Sequence, residues 1–300
     1  MIFKSAQVLI RINVMKKGII LAYMFCFSLW GFSQNIQVLK NEKQQIATHA
    51  FYPILNNEGT KLLYTGGNYR GLVIKDLESG TEKIISTEDG AGYNAVFDSD
   101  NQKVYFRKER KVAGKRLKAI HSYTLASNKT ELLINELHQP EEMNRALNKV
   151  KCPSSDITVT TEDLYLVVYK GGTRTVLNPL GKVPGYIWAS LSPSKDKILF
   201  TAPSKGTFIA DLSGKIISSL GYLNAPVWYD NNWIIGMDDK DNGNDIISSS
   251  LILIREDGAN RTILTPDTLK AMYPAVSSDS HKIAYNTSEG EIYIMEIAIK

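Results

Sequence analysis

Cysteine is scarce in this chain of 300 residues, which contains only Cys26 and Cys152. Cys26 lies within an apolar stretch near the N-terminus, so removal of that stretch would leave a single thiol. One thiol cannot form an internal disulfide, and this excludes a small fold stapled by disulfides. The structure has to be held by packing, for which 43% hydrophobic residues are sufficient.

An excess of charge is also missing from the body of the chain. The formal net charge of +4 comes from the N-terminal segment, where all four charged residues before Gln34 are basic. Without these four, the 35 basic residues of the whole chain fall to 31, which equals the number of acidic ones. A neutral body has no long-range field that attracts polyanions, so we expect no nucleic-acid partner.

Long hydrophobic runs are absent as well, since the longest, Ile19–Phe32, has 14 residues. A helix that spans a bilayer needs roughly 20. Two lysines before this run and small residues after it are typical of a secretory signal peptide. We therefore expect a signal at residues 1–33, with Met15 as the true start and an uncleaved anchor as the alternative. The mature protein would be periplasmic, secreted or at the cell surface of a Gram-negative bacterium, with no stable membrane span.

The sequence contains no recognisable catalytic motif. It has neither a Gly-x-Ser-x-Gly elbow nor a phosphate-binding loop. The segment Gly90–Ala95 matches a dinucleotide fingerprint loosely, but it precedes a predicted strand instead of opening a helix. No two of the four histidines have the spacing of metal ligands. An enzyme is therefore not the favoured interpretation.

A repeated pattern is present instead. Each copy combines a short strand, a polar turn of Asp, Asn, Ser, Gly or Pro, and a second strand rich in β-branched and aromatic residues. The copies begin at Tyr52, Tyr93, Trp188, Ala225 and Tyr273. In four of them the first and last aromatic residues are 12 positions apart.

These copies resemble the WD-like repeat of TolB and of the propeller domains of prolyl oligopeptidase relatives. The typical text of that repeat is an aromatic residue with proline, a strand, Ser-Pro-Asp-Gly-Lys and an apolar strand. The nearest copy here is Ser192–Lys197, with the sequence SPSKDK. The resemblance implies an all-β propeller whose blades have four antiparallel strands each. It also implies protein partners that bind one face or the central tunnel.

The spacing of the copies predicts six blades. The steps between the five starts are 41, 95, 37 and 48 residues, and the long step has room for a divergent blade around Ile157–Thr160 and Leu164–Tyr169. We expect the strand-like segment Ile36–Lys40 to complete the last blade and close the ring, because only 27 residues follow Tyr273. The prediction is a single domain over residues 34–300 with an insertion near 134–151.

Two groups of residues are candidates for binding. The first comprises the aromatic residues at blade starts, which either stack on a ligand or pack between blades: Tyr52, Tyr93, Trp188 and Tyr273. The second is a carboxylate-rich segment that resembles a calcium loop and consists of Asp238, Asp239, Asp241 and Asp245. Lys240 occupies the third ligand position of that loop, so a solvated hairpin is the alternative.

The sequence as a whole favours a non-catalytic, exported binding or scaffold protein that engages a protein or peptide partner. The alternative is a carbohydrate-active lyase or hydrolase, or a sugar-binding protein, that uses the mouth of the tunnel. We expect a monomer without a cofactor, with calcium as the alternative at the acidic segment.

Overall fold

The computed structural model describes residues 35–137, 157–183 and 185–300. The expected signal at 1–33, Cys152 and His138 lie outside these residues. Of the expected insertion at 134–151, the first four residues belong to a strand and the others are not described. The described chain from Ile36 to Ala298 forms one compact unit of antiparallel sheets.

Blades 1 and 2 each contain four antiparallel strands that follow one another in sequence. Blade 1 consists of β2 (Phe51–Leu55), β3 (Lys61–Thr65), β4 (Leu72–Asp76) and β5 (Glu82–Ser86). Blade 2 consists of β6 (Val96–Phe97), β7 (Lys103–Val112), β8 (Lys115–Thr124) and β9 (Lys129–Leu137).

The long step in the sequence contains a divergent blade, blade 3, as predicted. Its three described strands are β10 (Ile157–Glu162), β11 (Tyr165–Lys170) and β12 (Thr173–Leu177). Blade 4 follows with β13 (Ile187–Leu191), β14 (Lys197–Ala202), β15 (Gly206–Asp211) and β16 (Ile216–Gly221). In blade 4 the second strand, β14, contacts the first strand of the next blade, β17. Strand β10 makes the same contact with β13, the first strand of blade 4. Strands β10 to β12 therefore correspond to the second to fourth strands of a blade.

The last two sheets complete the six blades. Blade 5 consists of β17 (Asn224–Trp228), β18 (Trp233–Asp241), β19 (Ile246–Arg255) and β20 (Thr262–Ile263). Blade 6 contains β21 (Ala271–Val276), β22 (Ile283–Thr287) and β23 (Ile292–Ile299). Its fourth strand is β1 (Ile36–Lys43), which is hydrogen-bonded to β23.

Helical structure is confined to two short 3-10 turns in the described residues, Gly67–Tyr69 and Asp267–Leu269. None of the described helices has the length and hydrophobicity that a bilayer crossing requires. The prediction of an all-β, six-bladed propeller is confirmed.

The core lies between neighbouring blades. Leu63 of blade 1 packs with Val104 and Phe106 of blade 2, and Leu62 on the same strand packs with Ala284 of blade 6. Consecutive residues of the second strand therefore face two different neighbours, which explains why these strands are apolar without alternation. Burial of the large side chains between blades supplies most of the stabilisation, at about 25 cal/mol per Å² of apolar surface.

The turn between the first and second strands has a recurring cap. In four blades a polar side chain at the same position accepts hydrogen bonds from backbone N–H groups four or five residues later: Asn56, Asp98, Ser192 and Ser277. These short side chains satisfy the turn backbone, which favours Asn, Asp or Ser at this position of the repeat.

These four blades and blade 5 each have a residue with positive φ, which lies in the first strand or, in blade 2, two residues before it. The φ angles are 53° at Tyr52, 54° at Asn94, 52° at Trp188, 43° at Ala225 and 53° at Tyr273. In blades 1, 4, 5 and 6 the register of the ladder shifts at this residue, which produces a bulge. No β-branched residue occupies the position, in agreement with the steric clash of such side chains at positive φ.

This backbone conformation makes Ala225 a test of the repeat. We expect Ala225→Val to lower the free energy of unfolding by about 1–2 kcal/mol, because positive φ is strained for a β-branched residue. Ala225→Gly is expected to stay within about 0.5 kcal/mol of the parent, since relief of strain offsets the greater entropy of the unfolded chain. Denaturant titration measures both values.

The control is Ser219→Val at an exposed position of β16, where a β-branched residue suits the strand. Equal stability of the two Ala225 variants would show that the bulge does not constrain the sequence.

Candidate functional site

The two faces of the propeller differ in what they carry. We call the upper face the one at which the first strand of each blade begins. It carries the connections between second and third strands and between consecutive blades, since the strands are antiparallel. The lower face carries the capped turns described above.

Four tyrosine rings from three blades form a continuous row on the upper face, which we call the tyrosine arc. The ring centroids of Tyr273 and Tyr52 are 4.7 Å apart, those of Tyr52 and Tyr69 are 4.1 Å apart and stacked, and those of Tyr69 and Tyr93 are 5.0 Å apart and edge-on. All four side chains are partly exposed. Offset and edge-on contacts at these separations stabilise aromatic pairs.

The bulges position two of these rings. The backbone N–H of Tyr52 donates to Oδ1 of Asn286 over 3.0 Å, and that of Tyr273 donates to Sδ of Met237 over 3.2 Å. Each acceptor lies on the second strand of the preceding blade, so the bulge is tied across the blade boundary. This places neighbouring blade starts close enough for their rings to meet.

An arginine closes the arc at blade 2. The guanidinium carbon of Arg107 lies 3.8 Å from the ring centroid of Tyr93, which is cation–π geometry. Its Nη2 lies 2.8 Å from Oε1 of Glu109, and its Nε donates to the carbonyl of Gly90. Both charged side chains are only 11–12% exposed, so Glu109 compensates the charge of Arg107 in a largely buried pair.

The glycines before Tyr93 have a packing role. A Cβ on Gly92 would lie 2.2 Å from Cβ of Thr65, and a Cβ on Gly90 would lie 2.9 Å from the side chain of Glu109. The hydroxyl of Thr65 donates to the carbonyl of Gly71, which fixes the obstacle. The pattern that loosely matched a dinucleotide fingerprint therefore seats the loop that presents Tyr93.

A buried carboxylate lies beyond the other end of the arc, in blade 5. Nδ2 of Asn224 donates to Oδ1 of Asp239 and to Oη of Tyr222, each over 2.8 Å. Asp239 is 9% exposed. Burial raises the pKa of Asp239, with a smaller contribution from the charge of Asp241, and Asp239 in turn contributes to the raised pKa of Tyr273.

The sign of the Asp239 shift has a consequence for stability. A carboxyl group with a raised pKa in the folded state binds its proton more tightly there than in the unfolded chain. The resulting stabilisation is present at low pH and is lost as the pH rises through the folded-state pKa. Ionisation of Asp239 therefore lowers the stability of the propeller, as is common for functional groups.

A groove of about 270 Å³ lies on the sheet of blade 2 and is lined by Lys108, Glu109 and His121, among others. Nδ1 of His121 is buried beside it and has no hydrogen-bond partner in the described part of the chain. Burial, followed by the charge of Lys108, lowers the pKa of His121, so the imidazole is neutral at physiological pH.

Comparison with known proteins adds a relative in structure. No protein-family model and no curated protein sequence matches the chain. TolB from Acinetobacter baumannii superposes with a TM-score of 0.51 and 16% identity, over 75% of this chain and 56% of TolB. The chain has a TolB-like six-bladed propeller fold. It spans just over half the length of TolB, and at this identity the likeness shows the fold alone.

Two structures of oligogalacturonate lyase resemble this chain less than TolB does. One is from Vibrio parahaemolyticus and covers 84% of this chain and 79% of its own, at 11% identity and a TM-score of 0.46. The other, in complex with manganese, covers 85% and 79%, at 14% identity and the same TM-score.

The structure brings together three of the four aromatic residues predicted from the repeat. Tyr52, Tyr93 and Tyr273 lie in the arc, whereas Trp188 is 40% exposed and has no ring contact among the described residues. The assumption that all four occupy one structural position is wrong for Tyr93. The turn cap Asp98 and the positive φ show that Asn94 is the equivalent of Tyr52.

Sequence reasoning missed Tyr69, which stacks on Tyr52. It follows Asn68, and both residues have positive φ in the connection between β3 and β4. Its sequence signal, Gly66-Gly67-Asn68-Tyr69, indicates a tight turn but does not show where the ring points. Burial and the neighbouring Tyr52 hydroxyl raise its pKa, so the hydroxyl stays protonated at neutral pH.

The four aspartates proposed for calcium do not converge on one point, because they have different partners and positions. Asp238 pairs with Nη2 of Arg261 over 2.9 Å, and Asp239 lies on the other side of the strand with Asn224. Asp241 and Asp245 belong to the hairpin turn, where the Asp241 carboxylate accepts from the N–H of Gly243. The described residues hold no group of three or more His, Cys, Asp or Glu side chains suited to a metal.

The seat of the Tyr93 loop leads to a test. We expect Gly92→Ala to lower the free energy of unfolding by about 1–3 kcal/mol, because the added methyl group overlaps Thr65. Gly67→Ala is the matched control, since a Cβ there meets nothing within 4 Å. Thermal or denaturant unfolding measures both, and equal stability of the two variants would contradict the close approach.

Proposed function

We propose that this TolB-like propeller is a binding protein that holds a protein or peptide segment across its upper face. The tyrosine arc is the observation that carries the proposal. Tyrosine and arginine are enriched at the energetic centres of protein interfaces, because both combine a large contact area with hydrogen-bonding capacity. The arc also runs across three blades, which matches the length of an extended segment better than that of a small molecule.

The way the rings contact one another favours a peptide over a sugar. A sugar ring stacks on the open flat face of an aromatic side chain. Tyr52 is in ring contact with Tyr69 by stacking and with Tyr273 at a tilt, so its faces are partly used within the arc. Ring edges and hydroxyl groups remain for a partner, and these suit backbone amides and apolar side chains.

The carboxylates of this region favour binding over glycoside hydrolysis. Hydrolysis of a glycosidic bond uses two carboxylic acids that flank one bond. Among the described residues, Asp239 in blade 5 is buried and Glu109 in blade 2 is largely buried, and they lie on either side of the arc. Glu109 is also held by Arg107.

Export is part of the proposal, and it rests on the segment Met15–Ser33 of the sequence. We expect the mature protein to begin after Ser33 and to be recovered from the periplasm, the medium or the cell surface. N-terminal sequencing of the protein from cell fractions measures this. Recovery of the uncleaved chain from the cytoplasm would contradict it.

The binding function is tested by selection of a displayed random dodecapeptide library on the immobilised protein. We expect selected peptides to bind and to lose at least about tenfold in affinity for Tyr52→Ala and Tyr69→Ala, since truncation of a central aromatic residue costs 1–2 kcal/mol or more. The matched control is Tyr165→Ala, because Tyr165 is 47% exposed on blade 3, away from the arc. Thermal unfolding confirms that each variant is folded.

Two results would overturn this proposal. One is the absence of any peptide whose binding depends on Tyr52 and Tyr69. The other is binding of an oligosaccharide panel, instead of peptides, with the same dependence on these two rings.

A further inference from the structure

Asp239 is unusual for a buried carboxyl group because it has no cationic partner among the described residues. It donates nothing when ionised and accepts a hydrogen bond from the neutral amide of Asn224. No cationic side chain lies within ion-pair distance of it in the described chain, whereas the adjacent Asp238 is paired with Arg261. Burial of a charge without a counter-ion is costly, and proteins usually retain it for a function.

The surroundings of Asp239 are already arranged around it. Asn224 bridges the carboxylate to the hydroxyl of Tyr222, and the carbonyl of Tyr222 accepts a hydrogen bond from Arg261. The carboxylate is therefore held in place before any ligand arrives. Tyr222 is 50% exposed, and the backbone N–H of Tyr273 donates to Met237, which lies on the same face of β18 as Asp239. Both tyrosines therefore lie near the carboxylate.

A carboxylate next to aromatic rings is complementary to an organic cation. The carboxylate supplies a charge-assisted hydrogen bond, and the electron-rich ring faces attract the same positive charge. A calcium ion needs six to eight oxygen ligands, and the described residues provide no suitable cluster. At the other end of the arc Arg107 and Glu109 compensate each other, so the local charge that remains open is negative.

We propose that Asp239 is the recognition point for a cationic group of the bound segment, namely a lysine or arginine side chain or a free α-amino group. This inference rests on the proposed function and adds the direction in which the segment binds. The cation binds at blade 5 between Tyr222 and Tyr273, and the remainder of the segment runs along the arc towards Arg107.

The test compares two adjacent carboxylates. Asp239→Asn removes the charge but leaves an oxygen that accepts from Asn224, while Asp238→Asn removes the same charge on the opposite side of the strand. The probe is the random dodecapeptide library, selected separately on the parent protein and on both variants. We expect lysine and arginine to be enriched at least twofold at one position on the parent and on Asp238→Asn, and not on Asp239→Asn.

Peptides from this selection then allow a direct measurement. Replacement of the enriched lysine by ε-acetyl-lysine, or of arginine by citrulline, is expected to weaken binding to the parent at least tenfold and to leave binding to Asp239→Asn unchanged. Thermal unfolding of Asp239→Asn should show a melting temperature no lower than that of the parent, which confirms that the site is folded.

The possible failures are distinguishable. Arc-dependent peptides without enrichment of a cation, or enrichment that persists on Asp239→Asn, would overturn the role of Asp239 and leave the binding function intact. The absence of arc-dependent peptides on all three proteins would overturn both.

Discussion

The positive φ in the first strands of blades 1, 4, 5 and 6 is the constraint on which the arrangement of the propeller depends. A non-glycine residue in this region costs about 1–2 kcal/mol, so the conformation persists only where the surroundings fix it. Hydrogen bonds from Tyr52 to Asn286 and from Tyr273 to Met237 do so, and both cross from one blade to the preceding one. The residue that is strained within a blade is thus also the residue that bonds to the preceding blade.

The lower face contributes to stability through hydrogen bonds between blades. Its capped turns are joined from blade to blade, since the N–H of Asn57 donates to Asn101, the carbonyl of Asn57 accepts from Asp279, and the N–H of Ser194 donates to Asn231. These bonds join neighbouring blades at the lower face, and the bulges join them at the opposite face. The tyrosine arc and the buried Asp239 lie on that opposite face.

The sequence was sufficient for features that are local and repeated. Asn56, Asp98, Ser192 and Ser277 cap turns within a few residues, so their spacing predicted the blades without long-range information. The site depends on contacts between blades, which no repeat displays. Tyr69 reaches Tyr52 across a turn of irregular backbone, and nothing in a run of aspartates distinguishes Asp239 from Asp238 until burial and partners are known.

The register of blade 2 illustrates the same limit. Tyr93 and Asn94 both follow a glycine-rich turn, and the aromatic residue is the more conspicuous of the two. The positive φ of Asn94 and the turn cap at Asp98 identify Asn94, and not Tyr93, as the equivalent of Tyr52. The ring of Tyr93 enters the arc from the preceding loop because Gly92 lies against Thr65, a contact that its sequence neighbours do not indicate.

Within the described part of the chain, the closest ring contact between blades joins residues that are far apart in sequence. Tyr52 belongs to the first complete blade and Tyr273 to the last, and the first strand of the protein is hydrogen-bonded into the same sheet as β23. A segment that lies across both rings would therefore bridge the seam of the circle. By mass action its binding would oppose the opening of that seam, so the closed ring would become more stable as more of the site is occupied.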